Sequence, residues 1–171
     1  MTAYVGLLRA VNVGGTGKLP MGELKAIAKA LGFGSIRTYI ASGNLIFIGD
    51  ADEAEVKAAL EMALHAHTKK PLPVFIRTAA EMADVVAANP FKDRPANRVV
   101  ATFFDTVPGP EAIAAATGVR DEQLSLGTRE IYIAYGDGMA DSKLTLPAAK
   151  LGTGRNMNTV AKLAAMAAEV A

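Results

Sequence analysis

The sequence predicts an α+β fold of two similar subdomains with mostly antiparallel sheets and a closing C-terminal helix. Three observations carry that expectation. Short apolar or β-branched runs alternate with stretches of helical periodicity, Gly, Asn and Pro punctuate them, and the order of elements starts again after residue 98. Residues 3–8 are an unbroken apolar run ended by Arg9, the pattern of a strand covered on both faces. Pro20 suits a first helical turn, Met21, Leu24, Ile27 and Leu31 recur at three- and four-residue spacing, and Gly32 supplies the stop. Residues 37–41 and 45–48 are rich in aromatic and β-branched types and flank Ser42-Gly43-Asn44, which tolerates positive φ, so a hairpin is expected. Asp50 and Asp52 offer caps to a helix whose stripe is Val56, Ala59, Leu60, Ala63, Leu64 and His67. A strand over 73–77 then completes βαββαβ, the element order of a ferredoxin-like subdomain.

Thr78 and Glu81 have the spacing of a capping box, and Met82, Val85 and Val86 follow as the apolar face of a helix that Asn89-Pro90 ends. The pattern then repeats as a strand over 99–104, a short Ala-rich helix over 110–117, and strands over 123–126 and 130–135 around Gly127-Thr128. Residues 143–155 read as a basic loop, and Val160, Leu163, Ala164, Ala167 and Val170 as the buried stripe of the last helix. The expected organisation is two ferredoxin-like (βαββαβ-type) subdomains, 1–88 with its following helix and 98–171 with the C-terminal helix, forming one compact unit.

Composition narrows the chemistry. Of 171 residues 51% are apolar and 20% charged, and 18 Lys and Arg stand against 17 Asp and Glu, which excludes a disordered or acidic solvating chain. Zero Cys removes thiol nucleophiles, disulfides and Cys-zinc sites together, and makes a reducing cytoplasm the expected location. Arg9 interrupts the N-terminal apolar run and no run approaches the roughly 18 residues a spanning helix needs, so neither signal peptide nor membrane segment is expected. The two histidines, His65 and His67, face different sides of one helix; the reading is a half-buried His67 and a solvent-facing His65, with no further ligands for zinc and no cofactor implied. Residues 136–141 hold two acids, but Met139 occupies the middle of the would-be calcium loop, so a polar turn is expected.

Gly14-Gly15-Thr16-Gly17-Lys18 lacks the leading glycine and the trailing Ser or Thr of a phosphate loop, since Asn12 and Leu19 stand there. What remains is a glycine-rich loop beside Lys18 and Arg9 able to cradle an anion without hydrolysing it. Ser42-Gly43 lacks the flanking glycines of a nucleophile elbow, with Ile40 and Asn44 in their places. Nucleic-acid binding lacks its usual signs: the pI is near 8.0, there is no Trp, and Tyr4 is the one aromatic of the first strand. Charge is uneven, with five Lys or Arg against Glu23 alone in residues 1–49, and four against Glu169 alone in residues 143–171. Arg155-Asn156-Met157-Asn158-Thr159 is expected to open the last helix, where capping explains one of its polar residues but not all.

Tyr4-Val5, the run from Leu7 to Gly15, Lys18-Leu19-Pro20-Met21, Leu31-Gly32-Phe33, Thr38 to Asn44, and Arg155 to Val160 with Lys162-Leu163 together closely resemble the bacterial domain-of-unknown-function 1697 family. The resemblance implies two ferredoxin-like subdomains in a cytoplasmic bacterial protein and supplies no reaction. Two positions depart from it: Ala10 lies where members often have Gly, and Met157 where many have Trp, which removes a stacking platform. The motif positions are Arg9, Asn12, Gly14, Gly15, Lys18, Ser42, Gly43, Asn44, Arg155, Asn156, Asn158, Thr159 and Lys162, polar or small throughout. The expectation is that the end of the first strand, the 42–44 turn and the start of the last helix converge on a pocket for an anionic ligand, a nucleotide or phosphorylated metabolite. Two alternatives stand beside it: an enzyme using that pocket with Asp105 or another carboxylate as base, and polar motifs that lock the subdomains or a homodimer together.

Overall fold

The apolar run at the N-terminus forms β1 (Thr2–Leu8), and every residue from Ala3 to Leu8 is buried, as a strand covered on both faces requires. The computed structural model describes residues 1–9, 18–137 and 139–171, so Asn12, Gly14 and Gly15 lie outside the described residues. Two compact units divide the chain, Met1–Ala83 with Leu163–Ala171, and Asp84–Lys162.

In the first unit β1 is followed by α1 (Met21–Ala30), β2 (Gly34–Thr38), β3 (Asn44–Gly49), α2 (Glu53–Thr68) and β4 (Val74–Thr78). The antiparallel sheet has the order β2-β3-β1-β4. Pro20 precedes α1 and Gly32, at φ 87°, follows it, a conformation that any side chain would strain. Asp52 caps α2, its side chain accepting from the Glu55 N–H at 2.9 Å. Both helices lie on one face of the sheet, where Leu24, Ala28, Val56, Leu60 and Leu64 pack against Tyr4, Leu8, Leu45, Phe47, Val74 and Ile76. Phe33 stacks on Phe47 at 4.3 Å between centroids, and the Tyr4 hydroxyl donates to the Ala51 carbonyl. Residues of the opposite face, Val5, Leu7, Asn44, Ile46, Phe75 and Arg77, are buried as well.

The two edges of this sheet are treated differently. On β4, Lys57 Nζ donates to the Val74 carbonyl at 2.6 Å while Glu61 accepts from the Val74 N–H at 2.9 Å, so an ion pair of α2 closes edge groups that another strand would seek. On β2, a register shift between Gly34 and Arg37, with Ser35 at φ 48°, bends the edge.

The second unit carries β5 (Val99–Phe103), α4 (Pro110–Ala114), β6 (Gln123–Leu126), β7 (Glu130–Ala134) and β8 (Thr153–Asn156), in the order β6-β7-β5-β8. Helix α3 (Ala79–Ala87) runs from β4 without a loop, and α5 (Met157–Val170) runs from β8 in the same way. The expected capping box opens α3: the Thr78 N–H donates to Glu81 at 2.9 Å and the Glu81 N–H to the Thr78 hydroxyl at 3.1 Å. The α+β architecture of two four-stranded antiparallel sheets, ferredoxin-like in strand order, with a C-terminal helix, is the one expected.

Three local expectations are corrected. The strand expected over 37–41 is β2 at Gly34–Thr38, because Ile40 takes φ 50° and Gly43 φ 88°, so Tyr39 to Gly43 form the loop. The basic stretch 143–155 is not one loop: Pro147–Leu151 is a 3-10 turn and β8 follows, paired with β5 through Ala101↔Arg155 and Phe103↔Thr153. The helix expected over 110–117 stops at Ala114, and Thr117 instead bonds Thr145 in both directions at 2.9 Å. Beside that bridge Gly118 has φ 70°, and a Cβ there would run into the Lys143 carbonyl. His67 is 41% exposed, the half-buried position expected of it, with Nε2 at 3.4 Å from Glu23 on α1.

Candidate anion-binding site

Register places the first cluster. Leu7 pairs with Asn44, the Leu8 N–H donates to the Gly43 carbonyl at 2.9 Å and the Arg9 N–H to the Pro73 carbonyl at 3.0 Å, so Arg9 leaves β1 beside the 42–44 turn. Arg9 is half-buried and Lys18 exposed, the latter directly before Leu19, which is buried in the core of the unit. Asn44 is fully buried, and its Nδ2 donates to the Tyr39 carbonyl at 2.9 Å and to the Ser42 hydroxyl at 3.0 Å. The side chain that was expected to contact a ligand therefore braces the loop from beneath.

That brace sustains a costly conformation. Ile40 is 50% exposed and sits at φ 50°, a region β-branched residues avoid, at a cost of about 1–3 kcal/mol. The flanking Tyr39 is fixed on both sides, its N–H donating to the Asn44 carbonyl at 3.1 Å and its own carbonyl accepting from the Asn44 side chain.

The C-terminal cluster belongs to the other unit up to Lys162. Arg155 and Asn156 are strand residues of β8 rather than the opening of the helix, which begins at Met157. Asn156 is the cap, its Oδ1 accepting from the Thr159 backbone N–H at 3.0 Å. Arg155 is 8% exposed and donates through Nη1 to the Thr153 hydroxyl at 2.7 Å and to the Gly154 carbonyl at 3.0 Å. Burial pulls its pKa down to about 10, which still leaves a charged guanidinium at neutral pH. Asn158 and Lys162 are exposed.

Asp105 is exposed after β5, where its carbonyl accepts from Arg129 at 3.3 Å. Tyr4 is 4% exposed in the helix-covered core, so its ring offers no platform to a base. Arg37 is paired with Glu169 at 2.6 Å, which removes one charge from the basic N-terminal segment. Among the described residues no group of three or more His, Asp or Glu is placed to hold a metal, and no helix is long and apolar enough to cross a membrane.

Sequence reasoning missed three buried charged residues, among them Glu122, 7% exposed directly before β6. Arg77 on β4 is 1% exposed and Glu130, first in β7, is 3% exposed. Arg77 donates through Nη1 to the Ile76 carbonyl, as Arg155 does to Gly154. A signal existed, because each arginine directly precedes the residue that caps the next helix, Thr78 or Asn156. Glu130 sits where β3 has Asn44, since Leu7↔Asn44 and Phe103↔Glu130 are equivalent pairs of the two sheets.

A family model described as Protein of unknown function (DUF1697) matches residues 1–132, more than three quarters of the chain. The chain belongs to the DUF1697 family. Its match includes the Arg9 and 42–44 cluster, while the cluster around Arg155 lies beyond the matched residues. A solved structure, that of conserved bacterial protein SP0830 from Streptococcus pneumoniae, is similar to this DUF1697 chain at 25% identity, covering 97% of this chain and 98% of that one with a TM-score of 0.82. No curated protein matches.

Proposed function

We propose that the chain binds a small anionic ligand, a nucleotide or phosphorylated metabolite, at the end of β1. The observation that carries this reading is the register that sets Arg9 beside the Ser42-Gly43-Asn44 turn, with Lys18 on the chain leading back into the same unit. Arg9 offers a planar fork suited to phosphate or carboxylate, and Lys18 a mobile point charge. Asn12, Gly14 and Gly15, on the segment between them, would supply backbone N–H groups. The basic excess of residues 1–49 supports attraction of an anion to this part of the molecule. In this reading Asn44 and Ser42 hold the turn from within the first unit.

The test is a thermal-shift screen of the full chain against nucleotides and sugar phosphates, repeated on Arg9→Ala, Lys18→Ala and Lys162→Ala. A ligand at a hundred times its dissociation constant adds about 2.7 kcal/mol, a shift of several degrees. The shift is expected to vanish in Arg9→Ala, to weaken in Lys18→Ala and to persist in Lys162→Ala. A hit that survives Arg9→Ala refutes the site. The competing reading, in which the polar motifs are internal locks, is favoured by the bonds that Asn44 and Arg155 make to their own neighbours. It predicts no hit and strong destabilisation in Asn44→Ala and Arg155→Ala alike.

A further inference from the structure

We infer that the ligand carries a flat ring as well as an anionic group, as a nucleotide does and a sugar phosphate does not, and that Ile40 is the surface on which the ring rests. The inference rests on the proposed anion site and deepens it. Ile40 bears two costs at once, a backbone in the left-handed region that its branched Cβ disfavours and an apolar side chain half open to water. Asn or Gly at this position would close the same loop with neither cost. The loop does not relax, because buried Asn44 holds the Tyr39 carbonyl and the Ser42 hydroxyl while the Tyr39 N–H is held by the Asn44 carbonyl. Strain of this kind persists where the surroundings over-determine it, and it gathers at ligand clamps.

Position adds the second argument. The loop that bears Ile40 also bears Gly43, whose carbonyl accepts from Leu8 immediately before Arg9. An anion held by Arg9 would have the remainder of its molecule beside that loop. A bare phosphate or carboxylate gains nothing from an aliphatic side chain, whereas a base or similar ring buries one face against it.

The experiment titrates the full chain calorimetrically with the four nucleoside 5′-monophosphates, ribose 5-phosphate and inorganic phosphate, on the native sequence, Ile40→Asn, Ile40→Leu and Arg9→Ala. At least one nucleotide is expected to bind ten times more tightly than ribose 5-phosphate. Ile40→Asn should abolish that preference, leave ribose 5-phosphate binding unchanged and raise the Tm of the ligand-free protein, since the strain is relieved. Ile40→Leu should restore most of the preference. Equal binding of all the phosphates, lost in Arg9→Ala and indifferent to Ile40→Asn, overturns the inference and leaves the anion site standing. Binding of none of the probes overturns both.

Discussion

The two units run the same strand order on different foundations. Matching Val5↔Arg77 to Ala101↔Arg155 brings the registers into correspondence, so that Tyr4↔Thr78 answers Val100↔Asn156 and Leu7↔Phe75 answers Phe103↔Thr153. In each, an edge strand carries a buried arginine, the next residue caps a helix, and the strand on the other side of the centre opens on a buried polar residue, Asn44 or Glu130. The difference lies between the third and fourth strands. The first unit places the 16-residue α2 there, whereas the second has an irregular stretch with a 3-10 turn at Pro147–Leu151. The helix-side core reflects it: Val56, Leu60 and Leu64 give the first unit a row of fully buried side chains, where the second has Leu146 at 8% exposure. Topology is thus preserved while the depth of apolar packing is not, which implies that the sheet register and its polar corners, more than core volume, define the repeated unit.

The largest expected effect tests the asymmetry of packing. Leu60→Ala empties a fully buried site and should cost about 2–5 kcal/mol, whereas Leu146→Ala, at 8% exposure in the smaller core of the second unit, should fall at or below the lower end of that range. Urea denaturation of both variants measures this, and hydrogen exchange should find β4 protected longer than β8. Equal losses in the two variants would break the comparison.

The equivalence of the buried arginines is sharpened by the next effect. Arg155→Ala removes the donor to the Thr153 hydroxyl and the Gly154 carbonyl and should cost about 1–3 kcal/mol. Arg77→Ala should cost a similar amount, because its guanidinium makes the same bond to the preceding carbonyl. Lysine should rescue neither, lacking the planar fork. A loss confined to one arginine would show that the shared register is geometric and not energetic.

The helix starts give a smaller contrast. Thr78→Ala breaks one bond of a reciprocal box and should cost about 1 kcal/mol, and Asn156→Ala, with a single bond to Thr159, no more than that. Melting temperatures of the two variants read the difference. An Asn156→Ala loss well above that of Thr78→Ala would indicate that Asn156 does more than cap.

Most elements of this fold were readable because their signals are local. The aromatic and β-branched run of β3, the stripe of α2 and the spacing of Thr78 and Glu81 each depend on a few neighbouring residues. β8 was not, because Thr153-Gly154-Arg155-Asn156 has low strand propensity and extends only through pairing with β5. The end of β2 was misplaced for the opposite reason: Tyr39 and Ile40 favour strands, yet Asn44 turns the chain there. The candidate site was half legible. Pattern reading picked out Arg9 and the 42–44 turn as functional, and register does place them together. It could not see that Asn44 and Arg155 would be spent inward, since polar side chains are taken as outward-facing until tertiary structure buries them.

The smallest effect concerns how the second unit holds its irregular stretch. Glu122, directly before β6, accepts from the Ser142 hydroxyl and from the Arg120 N–H, and these hydrogen bonds, the Ser142 one foremost, lower its carboxyl pKa. A carboxyl whose folded pKa is depressed contributes stability above its unfolded value, and that contribution is lost as the pH falls through the folded value. Ser142→Ala should therefore lower the Tm at neutral pH, and the gap to the native chain should close on acidification below the ordinary carboxylate range, where the native protein loses the same bond's advantage. Asp52→Ala in the first unit, which removes the cap of α2, provides the matched control measured over the same pH series. Should the Ser142→Ala gap stay constant with pH, the hydroxyl would be fastening the 139–152 stretch through packing alone, and the ionised Glu122 would have no part in it.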